Sequence, residues 1–178
     1  MSRIRPCALP QDALLRRCQD AKAYTDCYVT EVDGTVSHQT FVEAFYTTTL
    51  FKLERMLLRW LAARPSTDHE ARQLAEGRID TFAAWRVEDR NANQLLLADL
   101  TGRTKSWLMV VPVGANASQP RTHLYFGSAV VAHTDRKTGR RRMGLAFQAL
   151  LGFHRLYSRL LLQAARSRIL ATRQAHVS

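Results

Sequence analysis

The sequence predicts an α+β domain in which an antiparallel sheet is covered by a long C-terminal helix. Between residues 80 and 133, four consecutive segments rich in β-branched and aromatic residues are joined by short connections. Short connections favour antiparallel pairing, because parallel strands need long crossovers. Residues 143–172 then carry apolar side chains at helical spacing. A sheet with one apolar face has to bury that face, and the long helix is its obvious cover.

Composition and charge limit the class of protein. The 178 residues are enough for one domain with a substantial core, and 46% of them are hydrophobic. The net charge of +11 allows an anionic membrane surface or a nucleic acid as partner. However, the dense basic cluster at residues 136–142 lies in a predicted loop and lacks the interleaved aromatic residues of single-strand binders. The sequence holds no recognised nucleic-acid motif, so we expect no nucleic-acid partner.

The sequence also predicts the location and redox state of the protein. It has no run of about 18 apolar residues and no apolar N-terminal stretch, so we expect neither a transmembrane helix nor a cleaved secretory signal. Cys7, Cys18 and Cys27 form no C-x-x-C pair, which favours reduced thiols in a cytoplasmic protein over structural zinc or a disulfide framework. No cofactor-binding motif is present, and we expect no cofactor.

The first part of the chain predicts one strand followed by helices. Residues 24–33 are rich in strand-forming Tyr, Thr and Val. Ser37 is suited to cap the helix that follows. Residues 50–64 have apolar side chains at 3-and-4 spacing with Lys and Arg on the other side, which predicts a strong amphipathic helix. The residues that follow predict a short polar helix. Ser66 or Thr67 is suited to cap its start, Glu70 to bond back to that cap, and Gly77 lies near its C-terminus.

Two of the four later strands are predicted to form a hairpin. Thr101-Gly102-Arg103-Thr104 is suited to a tight turn with glycine at its first central position. In that register Asp99 lies opposite Ser106, and Leu97 lies opposite Leu108. The other face of the sheet then carries Leu96, Ala98, Leu100, Trp107 and Met109.

The C-terminal helix contains the stretch "GFHRLYSRLLL", in which a histidine stands among leucines. At 100° per residue, His154 lies at the centre of the apolar stripe rather than at its margin. Arg155 and Arg159 fall on the opposite, basic side. The stripe around the histidine is formed by Phe147, Leu150, Tyr157, Leu161 and Ala165.

Two motifs carry a family resemblance. "AAWRVEDRNANQLLLADLTGR" resembles a W-R-V…L-L-L-x-A-E-M…G-R pattern, with Ala98-Asp99-Leu100 standing where the pattern has A-E-M, and "GFHRLYSRLLL" resembles an F-H-x-x-aromatic pattern. Both are similar to an uncharacterised branch of the START/polyketide-cyclase superfamily, also called helix-grip or birch-pollen-allergen-like. That branch is often fused behind short-chain nucleotide-sugar-epimerase-like domains, and we expect no such domain within these 178 residues.

The resemblance implies a helix-grip fold, in which a curved antiparallel sheet wraps around a long C-terminal helix and usually leaves a cavity between them. It covers roughly residues 24–170. We accordingly expect an N-terminal extension with a short helix over residues 1–23, a single helix-grip domain over residues 24–172, and a C-terminal tail over residues 173–178.

Two polar residues in apolar surroundings are candidates for acid–base or binding roles. His154 is either a core histidine bonded to a partner such as Asp99 or Tyr157, or a cavity-lining imidazole that contacts ligand or moves a proton. A metal role is disfavoured, because no H-x-H or H-E-x-x-H pattern exists. Asp99 is an ion-pair partner of Arg86, a solvated surface residue, or a catalytic or ligand-binding carboxylate.

Aromatic residues supply the rest of the predicted site. Trp85, Trp107 and Tyr125 either line an apolar pocket or pack in the core. Trp85 and Arg86 are adjacent on a strand, so only one of them can line a central cavity. The candidate ligand-binding set is therefore Trp85, Arg86, Asp99, Trp107, Tyr125, His154 and Tyr157.

Three functional hypotheses follow from these residues. The first is a binding domain for an apolar or lipid-like small molecule. The second is a cyclase or hydrolase in which Asp99 and His154 share acid–base work. The third is a basic surface that binds an anionic membrane or a nucleic acid through residues 136–142 and the arginine face of the last helix.

Overall fold

The computed structural model describes residues 3–21, 23–53, 66–114, 119–131 and 145–177, with side chains described for all of these except 145–154 and 176–177. The strands in these ranges are β1 (Arg5–Pro6), β2 (Tyr24–Asp33), β3 (Thr81–Phe82), β4 (Trp85–Arg90), β5 (Gln94–Asp99), β6 (Thr104–Val113) and β7 (Arg121–Val130). The helices are α1 (Arg16–Asp20), α2 (His38–Tyr46), α3 (Asp68–Ala75) and α4 (Leu145–Val177).

The strands form one open, curved antiparallel sheet in the order β1-β2-β7-β6-β5-β4-β3. From β3 to β7 each strand pairs with the next one in the chain, as short connections require. β2 pairs with β7 over ten residues and so joins the start of the domain to its last strand. With α4 following β7, this arrangement confirms the predicted α+β helix-grip class.

Helix caps follow the local sequence signals. The Ser37 side chain accepts a hydrogen bond from the backbone N–H of Thr40 and caps α2. Thr67 and Glu70 form a reciprocal capping box at the start of α3. Gly77 follows that helix with a φ of +75°, which glycine adopts without steric cost. These predictions are therefore confirmed.

The predicted hairpin register between β5 and β6 is wrong by two residues. Leu97 lies opposite Ser106 and Leu95 lies opposite Leu108. The cause is Asp99, whose carboxylate accepts hydrogen bonds from the Thr101 hydroxyl and the Arg103 backbone N–H and so belongs to the turn. The loop is longer than predicted. An even shift leaves every side chain on its predicted face.

The inner face of the sheet, which α2 and α4 cover, holds the larger core. The ring centroids of Phe45 in α2 and Phe126 in β7 are 4.7 Å apart, and those of Tyr46 and Phe51 are 4.8 Å apart. α4 contributes a buried stripe at helical spacing, which confirms the predicted apolar face for the described side chains. Its members are Leu161, Leu162, Ala165 and Ile169.

The central part of the outer face of the sheet is also buried, beneath the N-terminal segment that we define as residues 3–21. Leu15 has no exposed surface and packs with Trp107 and Leu96, which are equally inaccessible. Gly127 of β7 makes this contact possible, because a Cβ there would lie 2.9 Å from Leu15 Cδ2 and 2.9 Å from the backbone oxygen of Asp26. The centre of the sheet is thus covered on both sides.

The buried amide of Gln94 ties the N-terminal segment to the outer face. Its Oε1 accepts hydrogen bonds of 2.9 Å from the backbone N–H of Leu14 and from Trp107 Nε1. Its Nε2 donates to the backbone oxygen of Asp12 at 3.0 Å. A single polar side chain, 1% exposed, therefore bonds to two backbone groups of the N-terminal segment and to the buried indole of Trp107.

Other predictions fall partly or wholly outside the described residues. Residues 49–53 are helical, but most of the predicted helix 50–64 lies outside, as does the basic cluster at residues 136–142. The proposed boundaries at residues 23/24 and 172/173 stay predictions. Among the described ranges, no helix combines the length and apolar character needed to cross a bilayer.

Replacing Gln94 with Met tests the tie between the N-terminal segment and the sheet. Met fills a similar volume but offers no hydrogen bond to Leu14 or Trp107, so the free energy of unfolding should fall by about 2–4 kcal/mol. Denaturant unfolding followed by circular dichroism measures the change. Gln163→Met on the exposed surface of α4 is the matched control. A loss below about 1 kcal/mol for Gln94→Met would contradict this role.

His38 at the start of α2 should make stability depend on pH. Burial lowers the pKa of its imidazole from 6.5 to about 4, with Arg90 also disfavouring the charged form and a hydrogen bond with the Leu108 backbone opposing the shift. Between these values the unfolded chain binds a proton that the folded chain does not, so stability falls as the pH falls. From pH 7 to pH 5 this histidine should cost about 2 kcal/mol.

The His38→Gln variant should lose that part of the pH dependence in denaturant titrations. His69→Gln, which changes an exposed histidine in α3, serves as the control. Equal pH dependence in the His38→Gln variant and the unaltered protein would exclude the buried imidazole as the cause.

Candidate functional site

The sheet divides the predicted site residues between its two faces. Trp85 and Tyr157 pack against the inner core. Trp107 and Tyr125 pack in the outer cluster beneath the N-terminal segment. Arg86 is exposed, as its position next to Trp85 on the same strand predicts. The fold therefore does not bring these side chains together in a single pocket.

Of the two predicted acid–base residues, the structure describes the side chain of Asp99 but not that of His154. The Asp99 carboxylate accepts hydrogen bonds within the β5–β6 turn, from the Thr101 hydroxyl and from the backbone N–H of Arg103 and Thr104. In the register it lies opposite Trp85 rather than Arg86. His154 belongs to α4, but its side chain lies outside the described residues, so both of its proposed roles stay predictions.

Tyr125 belongs to a polar row on the outer face that the sequence analysis missed. Its hydroxyl lies 3.4 Å from His123 Nδ1, and His123 Nε2 lies 3.0 Å from a carboxylate oxygen of Glu31. Arg121 donates to the other carboxylate oxygen at 2.9 Å. Burial alone would raise the pKa of Glu31, but the hydrogen bonds with His123 and Arg121 outweigh it and lower the pKa.

A cleft of about 550 Å³ opens at the β2 edge of the sheet, between the N-terminal segment and α4. β2 supplies one wall of the cleft. Its successive side chains point alternately to the inner face of the sheet and to the outer face, where the N-terminal segment lies. α4 supplies another wall through three exposed residues, Arg155, Leu156 and Arg159. The lining residues are Pro6, Cys7, Ala8, Leu9, Gln19, Tyr24, Thr25, Asp26, Cys27, Tyr28, Arg155, Leu156 and Arg159.

Aromatic and basic side chains flank the mouth of this cleft. Arg155 Nε donates to the Tyr24 hydroxyl at 2.8 Å, and the guanidinium carbon lies 5.6 Å from the centre of the Tyr24 ring. The hydrogen bond with Tyr24 raises the pKa of Arg155. Arg159 lies one turn further along α4 and is exposed. The mouth thus carries two cations on one helix.

Tyr28 lies deeper in the cleft and contacts the inner core. It is only 6% exposed. Burial, reinforced by the nearby charge of Asp26, raises the pKa of its hydroxyl to about 12. At neutral pH this tyrosine is therefore an uncharged donor and acceptor.

A row of polar side chains runs from the cleft across the inner face of the sheet. Asp26 Oδ1 accepts hydrogen bonds from the backbone N–H and the hydroxyl of Ser128. Ser128 lies opposite Ser106 on the next strand. The Ser106 hydroxyl is 3.0 Å from the Tyr46 hydroxyl, and both residues are buried. These four polar residues thus lie next to one another on the inner side of the sheet.

Three more polar atoms are buried near this layer without a hydrogen-bond partner among the described residues. They are the Thr30 hydroxyl on β2, the Ser158 hydroxyl on α4 and Trp85 Nε1 on β4. Ser158 itself has no exposed surface. Buried polar atoms are paired in most proteins, so each unpaired atom is a group that a bound ligand or water would satisfy.

The chemistry of the cleft is that of binding through charge and hydrogen bonds. Arginines offer paired N–H donors to carboxylate or phosphate groups, while the deeper hydroxyl groups both donate and accept. Among the described side chains, no group of three or more His, Cys, Asp or Glu residues is placed to hold a metal ion. The contacts that build the cleft join β2 to α4, residues more than 100 positions apart, and the sequence carries no local signal for them.

No protein-family model matches this chain, and comparisons with curated proteins and with solved structures give no match. The arrangement of sheet and C-terminal helix is compatible with a helix-grip fold on its own geometry.

Replacing Ser158 with Ala should not destabilise the protein. Its hydroxyl is buried without a partner, so its removal should raise the free energy of unfolding by up to about 1 kcal/mol. Ser167→Ala, at an exposed position of the same helix, corrects for the higher helix propensity of alanine. A loss of more than about 1 kcal/mol relative to Ser167→Ala would mean that the hydroxyl has a partner.

Proposed function

We propose that this chain is a small-molecule-binding domain of the START/polyketide-cyclase-like type, and that its ligand is a small amphiphilic anion. The cleft between β2 and α4 is the proposed binding site. The observation that carries the proposal is the pair of exposed arginines, Arg155 and Arg159, at the mouth of a cleft whose lining also includes the buried Tyr28.

The charges of the cleft favour an anionic group on the ligand. Arg155 and Arg159 stand on one side of α4, and Asp26 is the acidic residue among the lining side chains. Asp26 Oδ1 already accepts two hydrogen bonds from Ser128, which compensate part of its charge. The guanidinium groups, by contrast, keep N–H donors directed to solvent, and a carboxylate or phosphate suits their geometry.

The size and lining of the cleft favour an apolar part as well. A volume of about 550 Å³ falls in the range of small-molecule sites. Pro6, Leu9 and Leu156 supply apolar surface, and Leu156 is 57% exposed although it is a large hydrophobic residue. An aliphatic or aromatic group bound there would remove this surface from water.

The other two hypotheses have less support. A cyclase or hydrolase that uses Asp99 and His154 would need a free carboxylate, and Asp99 accepts several hydrogen bonds within its turn. A membrane-binding or nucleic-acid-binding surface relies on the cluster at residues 136–142, which lies outside the described residues. General attraction of anions to the basic surface is therefore treated as an outcome of the binding test.

Two matched fluorescent probes test the proposal. Anilinonaphthalene sulfonate is anionic and aromatic, and phenylnaphthylamine is its uncharged analogue. The intact protein should bind both saturably. The Arg155→Gln, Arg159→Gln double variant should lose roughly tenfold in affinity for the sulfonate, because a charge-assisted hydrogen bond contributes about 1.5–3 kcal/mol and solvent weakens it here. Its affinity for the uncharged probe should change little.

The Arg103→Gln, Arg168→Gln double variant provides the control for overall charge, because it also removes two positive charges, both from exposed arginines outside the cleft. It should leave the affinity for both probes unchanged. An equal loss in this control variant would indicate general attraction to a basic surface. Full sulfonate affinity in the Arg155→Gln, Arg159→Gln double variant, or binding that does not saturate, would refute the proposed site.

A further inference from the structure

Two cysteines face each other where the N-terminal segment meets β2. The β1–β2 register pairs Arg5 with Val29 and Pro6 with Tyr28, so Cys7 follows opposite Cys27. The backbone N–H of Cys7 donates to the Cys27 carbonyl oxygen at 3.0 Å. Their sulfur atoms lie 3.3 Å apart without a covalent bond between them.

The backbone geometry at this pair suits a covalent bond. Residues directly opposite each other in antiparallel strands have Cα atoms about 4.5–5.5 Å apart, which lies within the range that disulfides span. Bond formation requires the sulfur atoms to approach by about 1.3 Å, from 3.3 Å to the usual S–S length. Rotation of the two side chains supplies a movement of that size without separating the strands.

The two thiols also differ in exposure and acidity. Cys7 is partly exposed and Cys27 is buried, and both line the cleft. The hydrogen bond between the thiols lowers the pKa of Cys7, burial opposes this, and Arg5 adds to it. The same hydrogen bond and burial raise the pKa of Cys27. Cys7 is therefore the better nucleophile and Cys27 is placed to react second.

We infer that Cys7 and Cys27 form a reversible disulfide that fastens the N-terminal segment to the edge of the sheet. The oxidant is a low-molecular-weight disulfide such as glutathione disulfide. The Cys7 thiolate attacks one of its sulfur atoms, which forms a mixed disulfide and releases one glutathione thiolate. The Cys27 sulfur, on losing its proton, then attacks the Cys7 sulfur and releases the second. Two protein thiols are oxidised and one glutathione disulfide is reduced to two thiols.

This bond would close a loop that contains the cover of the outer face. Leu15 lies inside that loop, and its burial against Trp107 holds the N-terminal segment on the sheet. Cys18 lies in the same loop but is buried, and burial raises the pKa of its thiol. It is therefore the natural control cysteine. The inference does not depend on the proposed ligand.

Peptide mapping of the full chain after treatment with glutathione disulfide tests the bond. Trypsin cleavage after Arg16, Arg17 and Lys22 places the three cysteines on separate peptides. The intact protein should lose two thiols and about 2 Da, with the peptides of Cys7 and Cys27 joined. Cys18→Ser should behave identically. Cys7→Ser and Cys27→Ser should form no intramolecular disulfide.

Retention of all three thiols, a link through Cys18, or links only between molecules would overturn the inference. A thermal melt tests the fastening itself. Oxidation should raise the Tm of the unaltered protein and of Cys18→Ser by roughly 5–10 °C, because the closed loop restricts the unfolded chain. An unchanged Tm in protein that carries the linked peptides would overturn the claim that the bond secures the N-terminal segment.

Discussion

The hydrogen-bonded amide of Gln94 is the constraint on which the two-sided burial of the sheet depends. The outer face carries Trp107, Leu96 and Met109, which would be exposed without a cover. Leu15 supplies apolar contact, but apolar contact alone is non-directional and does not fix a register. The Gln94 amide fixes it, since its oxygen and nitrogen each need a particular backbone group of the N-terminal segment. Gly127 leaves the space in which Leu15 lies.

The position of the cleft follows from this cover. β1 adds to the sheet beside β2, so the N-terminal segment reaches the outer face by passing around the β2 edge. α4 crosses the inner face and meets the same edge, where Arg155 contacts Tyr24. The N-terminal segment, β2 and α4 therefore converge at one edge, and the gap between them is the cleft. A sheet with an open outer face would have only two of these three walls.

Local signals in the sequence predicted the helix caps, but neither the break of residues 80–90 into β3 and β4 nor the partners of the strands. Ser37, Thr67 and Glu70 cap helices through contacts within three residues, so the pattern alone predicts them. The hairpin register failed because the Asp99 side chain competes for turn hydrogen bonds, which strand propensity does not describe. The run Leu95-Leu96-Leu97-Ala98 was the available signal for the second cover, because a strand buried on both faces loses its polar alternation. The sequence of the strand does not predict which segment of the chain supplies that cover.

The candidate site was less accessible to prediction for the same physical reason. Trp85, Trp107 and Tyr125 are aromatic residues on strands. Strand propensity does not predict whether each of them packs beneath the helices of the inner face or beneath the N-terminal segment. In the sequence Asp26 is only a polar residue within a predicted strand. In the structure its hydrogen bonds with Ser128 place it at the start of the row of polar side chains on the inner face.

β2 links the cleft to the cysteine pair through the alternation of its side chains. Tyr24, Asp26 and Tyr28 face inward, toward α4, while Cys27 between them lies in the outer cluster. Any movement of the Cys27 backbone is therefore shared by Asp26 and Tyr28, its immediate neighbours. Asp26 in turn is held by Ser128 on β7, a strand paired with β2 along its whole length. Rotation of the Cys7 and Cys27 side chains is enough to form their bond, so the pairing of β2 with β7 keeps Asp26 and Tyr28 in place while the bond forms.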